Sequence, residues 1–95
     1  MNLSLAPGAA EHLERDLGGR LLRISFTTGC GGSGYRLEPA AEPAPGDTIE
    51  QVGPVRVALD SMASSRLDGA VIARDPEEGG YVIDHPDAAI AIWCG

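Results

Sequence analysis

The stretch LLRISFTTGCGGSGYRL, Leu21 to Leu37, sets one cysteine, Cys30, among four glycines and closes on an aromatic residue. On its N-terminal side, LLRISFTT alternates apolar and polar residues from Leu22 to Phe26, the period of a half-buried strand. Tyr35 and Leu37 begin a second strand, so the glycine loop joins two neighbours in a sheet. A cysteine used as a small hydrophobe is usually set among apolar bulk. The bare surroundings of Cys30 instead predict a thiol meant to be reached.

Outward from this loop the pattern stays mainly β. Upstream, Pro7 to Leu17 has helical composition, with Pro7 at the first helical position and Gly18-Gly19 as a stop. Ala9, Ala10, Leu13 and Leu17 fall near one face, as in a helix that covers a core. Downstream, PAAEPAPGDT, Pro39 to Thr48, reads as a proline-rich turn. Strands at Thr48 to Val52 and Val55 to Leu59 flank the turn pair Gly53-Pro54. Asp60 or Ser61 caps a short helix that runs through Arg66. Further strands are expected at Ala70 to Ala73 and Tyr81 to Ile83, with PEEGG between them. The expectation is one domain over residues 1–95.

The 95 residues are 43% hydrophobic, and the aromatics are only Phe26, Tyr35, Tyr81 and Trp93, so the core must come from Val, Ile, Leu and Ala. A chain of this size has room for one site. The net charge is -7, with seven arginines scattered singly and no lysine. This distribution argues against a nucleic-acid partner and against an anionic membrane surface. No apolar run approaches the ~20 residues that span a bilayer. The N-terminus lacks the basic and apolar regions of a signal peptide. A cytoplasmic location is therefore expected, where two cysteines are more often free thiols or metal ligands than a disulfide. A bond between Cys30 and Cys94 stays open as an alternative.

Five blocks, in order, carry a resemblance: LAPGAAEHL, GCGGSGY, EPAPGDTIEQVGPVRVALD, LDGAVI and YVIDHPDA. They resemble the opening helix, first-cysteine loop, central hairpin, next strand and pre-tail segment of the A-type iron-sulfur carrier family, also called HesB-like or iron-sulfur biogenesis domains. The resemblance implies a compact, β-sandwich-like HesB fold with an N-terminal helix and one short helix. It also implies a non-enzymatic role in iron-sulfur cluster assembly. A 2Fe-2S or 4Fe-4S cluster, or iron, would be held by thiolates at the interface of a homodimer or tetramer. Recipient apoproteins or assembly scaffold proteins would be the partners.

The family pattern has three cysteines, one in the glycine loop and two in a C-terminal Cys-Gly-Cys. Cys30 matches the first. Aligned through HPDA, Ile92 stands at the first tail cysteine, Trp93 at the glycine and Cys94 at the second. The implied ligands are Cys30 and Cys94, and a two-fold dimer would collect four thiolates from them.

The tail IAIW is β-prone and apolar, with Ile90 and Ile92 on one side and Ala91 and Trp93 on the other. It is expected to be an ordered strand or interface segment. A second reading follows, a HesB-like interaction module that uses this tail and binds no cluster. A third, a thiol enzyme built on Cys30, lacks a histidine with a reason to sit beside it as base. His85 reads as a turn residue before Pro86 and His12 as a surface residue. The pairs Glu77-Glu78 and Asp84/Asp87 read as solvated turn residues. Tyr35 and Trp93 read as core or interface.

Overall fold

The computed structural model describes residues 2–29, 32–77, 79–86 and 91–94, with the backbone alone at 28, 29, 32 and 33. In chain order these form β1 (Ser4–Leu5), α1 (Ala9–Leu17), β2 (Leu21–Gly29), β3 (Gly32–Ala40), β4 (Thr48–Val52) and β5 (Val55–Leu59). Then follow α2 (Ser61–Arg66), β6 (Val71–Arg74), β7 (Tyr81–Asp84) and β8 (Ala91–Trp93). The strands make two sheets, ordered β4-β5-β2-β3-β8 and β1-β6-β7.

The larger sheet is mixed. β2 and β3 are antiparallel from Leu21 opposite Ala40 to Gly29 opposite Gly32. β4 and β5 form the hairpin expected around Gly53-Pro54. β5 then lies parallel to β2, with Leu22, Arg23 and Ile24 opposite Val57, Ala58 and Leu59. Their inward residues Leu22, Ile24, Tyr35, Leu37, Val57 and Leu59 are buried in one apolar cluster with Leu13 and Leu17 of α1 and Ile72 of β6.

α1 buries Ala9, Leu13 and Leu17, a stripe of every fourth residue. Its first helical residue is Ala9, not Pro7, with Gly8 as the cap, so the helix begins two residues later than the sequence suggests. Gly18 closes it in the left-handed conformation, its N–H donating to the Glu14 carbonyl.

β3 extends beyond its expected limits at both ends, and one strand is new. β3 starts at Gly32 instead of Tyr35, because its pairing with β2 orders residues of low strand propensity. It also takes in Pro39 and Ala40, which the sequence assigns to the following turn. β1 was not expected at all. Its two residues pair with Val71 and Ile72, and the Ala6 N–H donates to the Ile72 carbonyl at 2.9 Å.

Asp60 holds the corner between β5 and α2. Its Oδ1 accepts from the Ala63 N–H at 2.8 Å as the cap of α2, and its Oδ2 accepts from the Phe26 N–H of β2 at 2.8 Å. A second tie crosses β2. The Arg23 guanidinium donates to both carboxylate oxygens of Asp47, at 2.9 and 3.1 Å, and Asp47 also accepts from the Ala44 N–H. The Arg23 hydrogen bond holds the Asp47 carboxyl below its ordinary range and raises the guanidinium in turn.

Asp60→Ala removes a cap and leaves the Phe26 amide unpaired, so a loss of about 2–4 kcal/mol is expected. Urea unfolding should show a lower midpoint at unchanged slope. Asp47→Asn should cost about 2 kcal/mol at neutral pH. A carboxyl with a depressed folded-state pKa stabilises above its ordinary value of about 3.9, and that stability is lost as pH falls through the lower folded value. The gap between native and Asp47→Asn proteins should therefore narrow as pH drops below about 4, checked by thermal melts across pH.

Candidate metal-binding site

The hairpin of β2 and β3 outruns its neighbours. β5 pairs with β2 only at Leu22–Ile24, and β8 pairs with β3 only at Tyr35–Leu37. The ladder between β2 and β3 continues to Gly29 and Gly32. Among the described residues, Thr27–Gly29 and Gly32–Gly34 thus form a two-stranded arm. A lone ribbon is marginally stable in water, so its root matters. There the Phe26 N–H is held by Asp60, and the Phe26 ring meets Tyr35 edge-on with centroids 5.5 Å apart. The Arg66 guanidinium of α2 lies 5.3 Å from the Phe26 ring centre. Cys30 and Gly31, between Gly29 and Gly32, lie outside the described residues, as do Glu78, Asp87 and Ile90.

The tail is a strand, β8, added parallel to β3 at the sheet edge. Ala91 and Trp93 are half-buried, while Ile92 is 53% exposed on the other face. Cys94 is an exposed free thiol, and its N–H donates to the Leu37 carbonyl at 2.8 Å. Because β8 is parallel and Trp93 lies opposite Leu37, Cys94 falls level with Glu38, six residues along β3 from Gly32. At about 3.3 Å per residue it is about 20 Å from the described end of the arm. Two further residues of chain reach at most about 7 Å. A disulfide needs Cα atoms about 4.4–6.8 Å apart, so a docked β8 excludes one between Cys30 and Cys94 of the same chain.

Trp93 is seated on β7. Its ring meets Tyr81 edge-on at 4.8 Å between centroids, and the Tyr81 hydroxyl donates to Asp16 Oδ2 of α1 at 2.7 Å. Burial, then the Asp16 bond, push the Tyr81 hydroxyl above the usual phenol range, so it stays a donor. Beneath the indole lies Gly80 at φ +81°, where a Cβ would come within 2.9 Å of Trp93 Cδ1. This seat was missed in the sequence, where Gly79-Gly80 reads only as a turn; its single signal was a glycine directly before a tyrosine.

The remaining candidates have structural roles. His85 follows β7, and its Nε2–H donates to the Asp68 carbonyl at 2.9 Å. Arg15 of α1 donates to His12 Nδ1 at 2.9 Å. Glu77 is an exposed turn residue, as expected, whereas Asp84 is exposed but belongs to β7, where its pairing with Val71 makes it the last strand residue and not a turn residue. Among the described residues no three His, Cys, Asp or Glu side chains are grouped to hold a metal ion. None of the helices described is long and apolar enough to cross a membrane. Tyr81→Phe removes the bond to Asp16 and should cost about 1 kcal/mol, measured by urea unfolding.

No protein-family model matches the chain. It is 30% identical to the iron-binding protein IscA of Enterobacter sp. (strain 638), over 100% of this chain and 95% of that protein. It is 38% identical over 71 residues to protein HesB of Leptolyngbya boryana, and the match spans 70% of this chain but only 57% of HesB. The crystal structure of IscA with the 2Fe-2S cluster superposes with a TM-score of 0.72 at 29% identity, covering 99% of this chain and 92% of that one. Escherichia coli SufA shares the fold, with a TM-score of 0.71 at 21% identity over 93% of this chain and 89% of that one.

Proposed function

Because the chain belongs to the HesB/IscA family of iron-sulfur biogenesis proteins, we propose that it is a carrier whose cargo, a cluster or iron, is bound by the thiolates of Cys30 and Cys94 at a subunit interface. The arm carries this reading. Its two strands extend beyond their flanking partners as far as Gly29 and Gly32, the described residues that flank Cys30 and Gly31 in the chain. The second thiol, Cys94, is exposed at the edge of the same sheet.

Thiolate sulfur is the soft donor that iron-sulfur clusters take, commonly four at a time. One chain supplies two cysteines. A two-fold pair supplies four, which is the support for a dimeric site. Recipient apoproteins, or scaffold proteins that load the carrier, are the partners this role requires. The role involves no catalysed turnover of a substrate, so no catalytic residue is assigned. The relatives support the cargo class: IscA is an iron-binding protein and has been crystallised with a 2Fe-2S cluster.

One observation favours a second reading, an interaction module without cargo. Ile92 of β8 and Val82 of β7 are exposed together on one groove beside Trp93. Anaerobic reconstitution with ferrous iron and sulfide separates the two. The carrier should gain visible absorption with about two irons per dimer if the core is 2Fe-2S. Cys30→Ser should abolish it, and Cys94→Ser should lower both the iron content and the fraction eluting as dimer. A colourless, iron-free native protein would leave the module reading standing.

A further inference from the structure

Cys94 sits where it cannot serve the loop of its own chain. Every residue of β8 added in the parallel direction carries the C-terminus further from the arm, and the backbone of Cys94 is itself tied down by the Leu37 carbonyl. What holds β8 there is concentrated in one side chain. The strand pairs with β3 over only three residues, its Ile92 faces out, and Trp93 supplies the large apolar contact. The seat fits an indole closely: the bare Gly80 backbone, where a Cβ would collide with it, and the Tyr81 ring, fixed by Asp16, in edge contact with it.

We propose that β8 is a releasable strap: Trp93, seated against Gly80 and Tyr81, is its catch, and cargo binding by Cys94 together with Cys30 of the same chain requires the strap to leave β3. The proposal rests on Cys94 being a ligand, as argued above. The empty protein is then the strapped state, with Cys94 withheld about 20 Å from the end of the arm. Release breaks the Cys94 to Leu37 hydrogen bond and the three-residue ladder, while the β2–β3 hairpin and the core stay folded. The strap makes loading slower and holds the second thiol apart from the first, where the two cannot oxidise to an intrachain disulfide.

Peptide-level amide hydrogen exchange, before and after anaerobic loading with ferrous iron and sulfide, tests this directly. The amides of residues 91–94 should be protected in the empty protein and should exchange about tenfold faster or more once loaded, with β2 to β5 unchanged. Trp93→Gly should open β8 in the empty protein and speed iron uptake about tenfold at unchanged final iron content. Trp93→Phe, which keeps a ring in the seat, should fall between. The unchanged exchange of β2 to β5 certifies that each variant is folded. Iron uptake that is lost in Cys94→Ser while residues 91–94 stay protected in the loaded native protein overturns the strap alone, since Cys94 would then act from a second subunit. Uptake indifferent to Cys94→Ser overturns the assignment of Cys94 as ligand, and the strap with it.

Discussion

At Leu59 the chain leaves the sheet, and the hydrogen bond that the next residue of β5 would have made to β2 passes to a side chain. Had β5 continued parallel to β2, backbone would have met the Phe26 amide. The chain turns into α2 instead, and the Asp60 carboxylate reaches back to that amide while capping the helix. One group therefore ends β5, starts α2 and secures β2 where its flanking strand stops. The arm depends on this junction, because beyond Phe26 its two strands have only each other among the described residues. Arg66, in the last turn of the helix that Asp60 starts, lies over the same Phe26 ring, whose edge meets Tyr35. The helix is short, and its use is to brace the root of the hairpin.

The parts of the fold that could be read from the sequence are those whose information is local. The β4–β5 hairpin follows from alternation around Gly53-Pro54, and α2 from an aspartate before six residues that can form a helix. Where long-range pairing decides, local signals fail. Gly32, Ser33 and Gly34 have little strand preference and are extended because β2 holds them in register. Pro39 reads as a turn former, yet it sits in β3 beyond the three residues that β8 covers, on an edge where a missing N–H is tolerated. β1 is two residues long, below the length at which any periodicity can be seen, and exists through its bonds to β6.

The candidate site divides in the same way. Residue type and the order of motifs pointed to Cys30 and Cys94, and alternation in IAIW pointed to a strand with Trp93 and Ile92 on opposite sides; which of the two faces in is decided by the sheet, where β8 turns Trp93 inward and leaves Ile92 exposed. The direction of that strand and the identity of its neighbour are properties of the sheet. So is the seat of Trp93, which brings together β7, β8 and, through Tyr81, the exposed face of α1. Gly80 shows the limit clearly. Its place in sequence says turn, and only the position of Trp93 gives it the further requirement that it carry no Cβ.

The sense of β8 is what turns a tail into a constraint. An antiparallel strand beside β3 would have brought its last residue toward the arm, whereas the parallel strand delivers its last residue to the opposite end. A glycine at position 93 would leave such an ending free to swing, since glycine carries no side chain to anchor it and loses the most entropy on ordering. Tryptophan does the reverse, giving a three-residue strand enough buried ring to hold it on an exposed edge. With the strand docked, the two thiols of a chain belong to opposite ends of β3. Bringing both to one metal centre then requires a movement of β8, whereas with β8 docked Cys94 can meet only a thiol of a second subunit; in both cases the complete ligand set is a property of motion or of the assembly, not of a single resting chain.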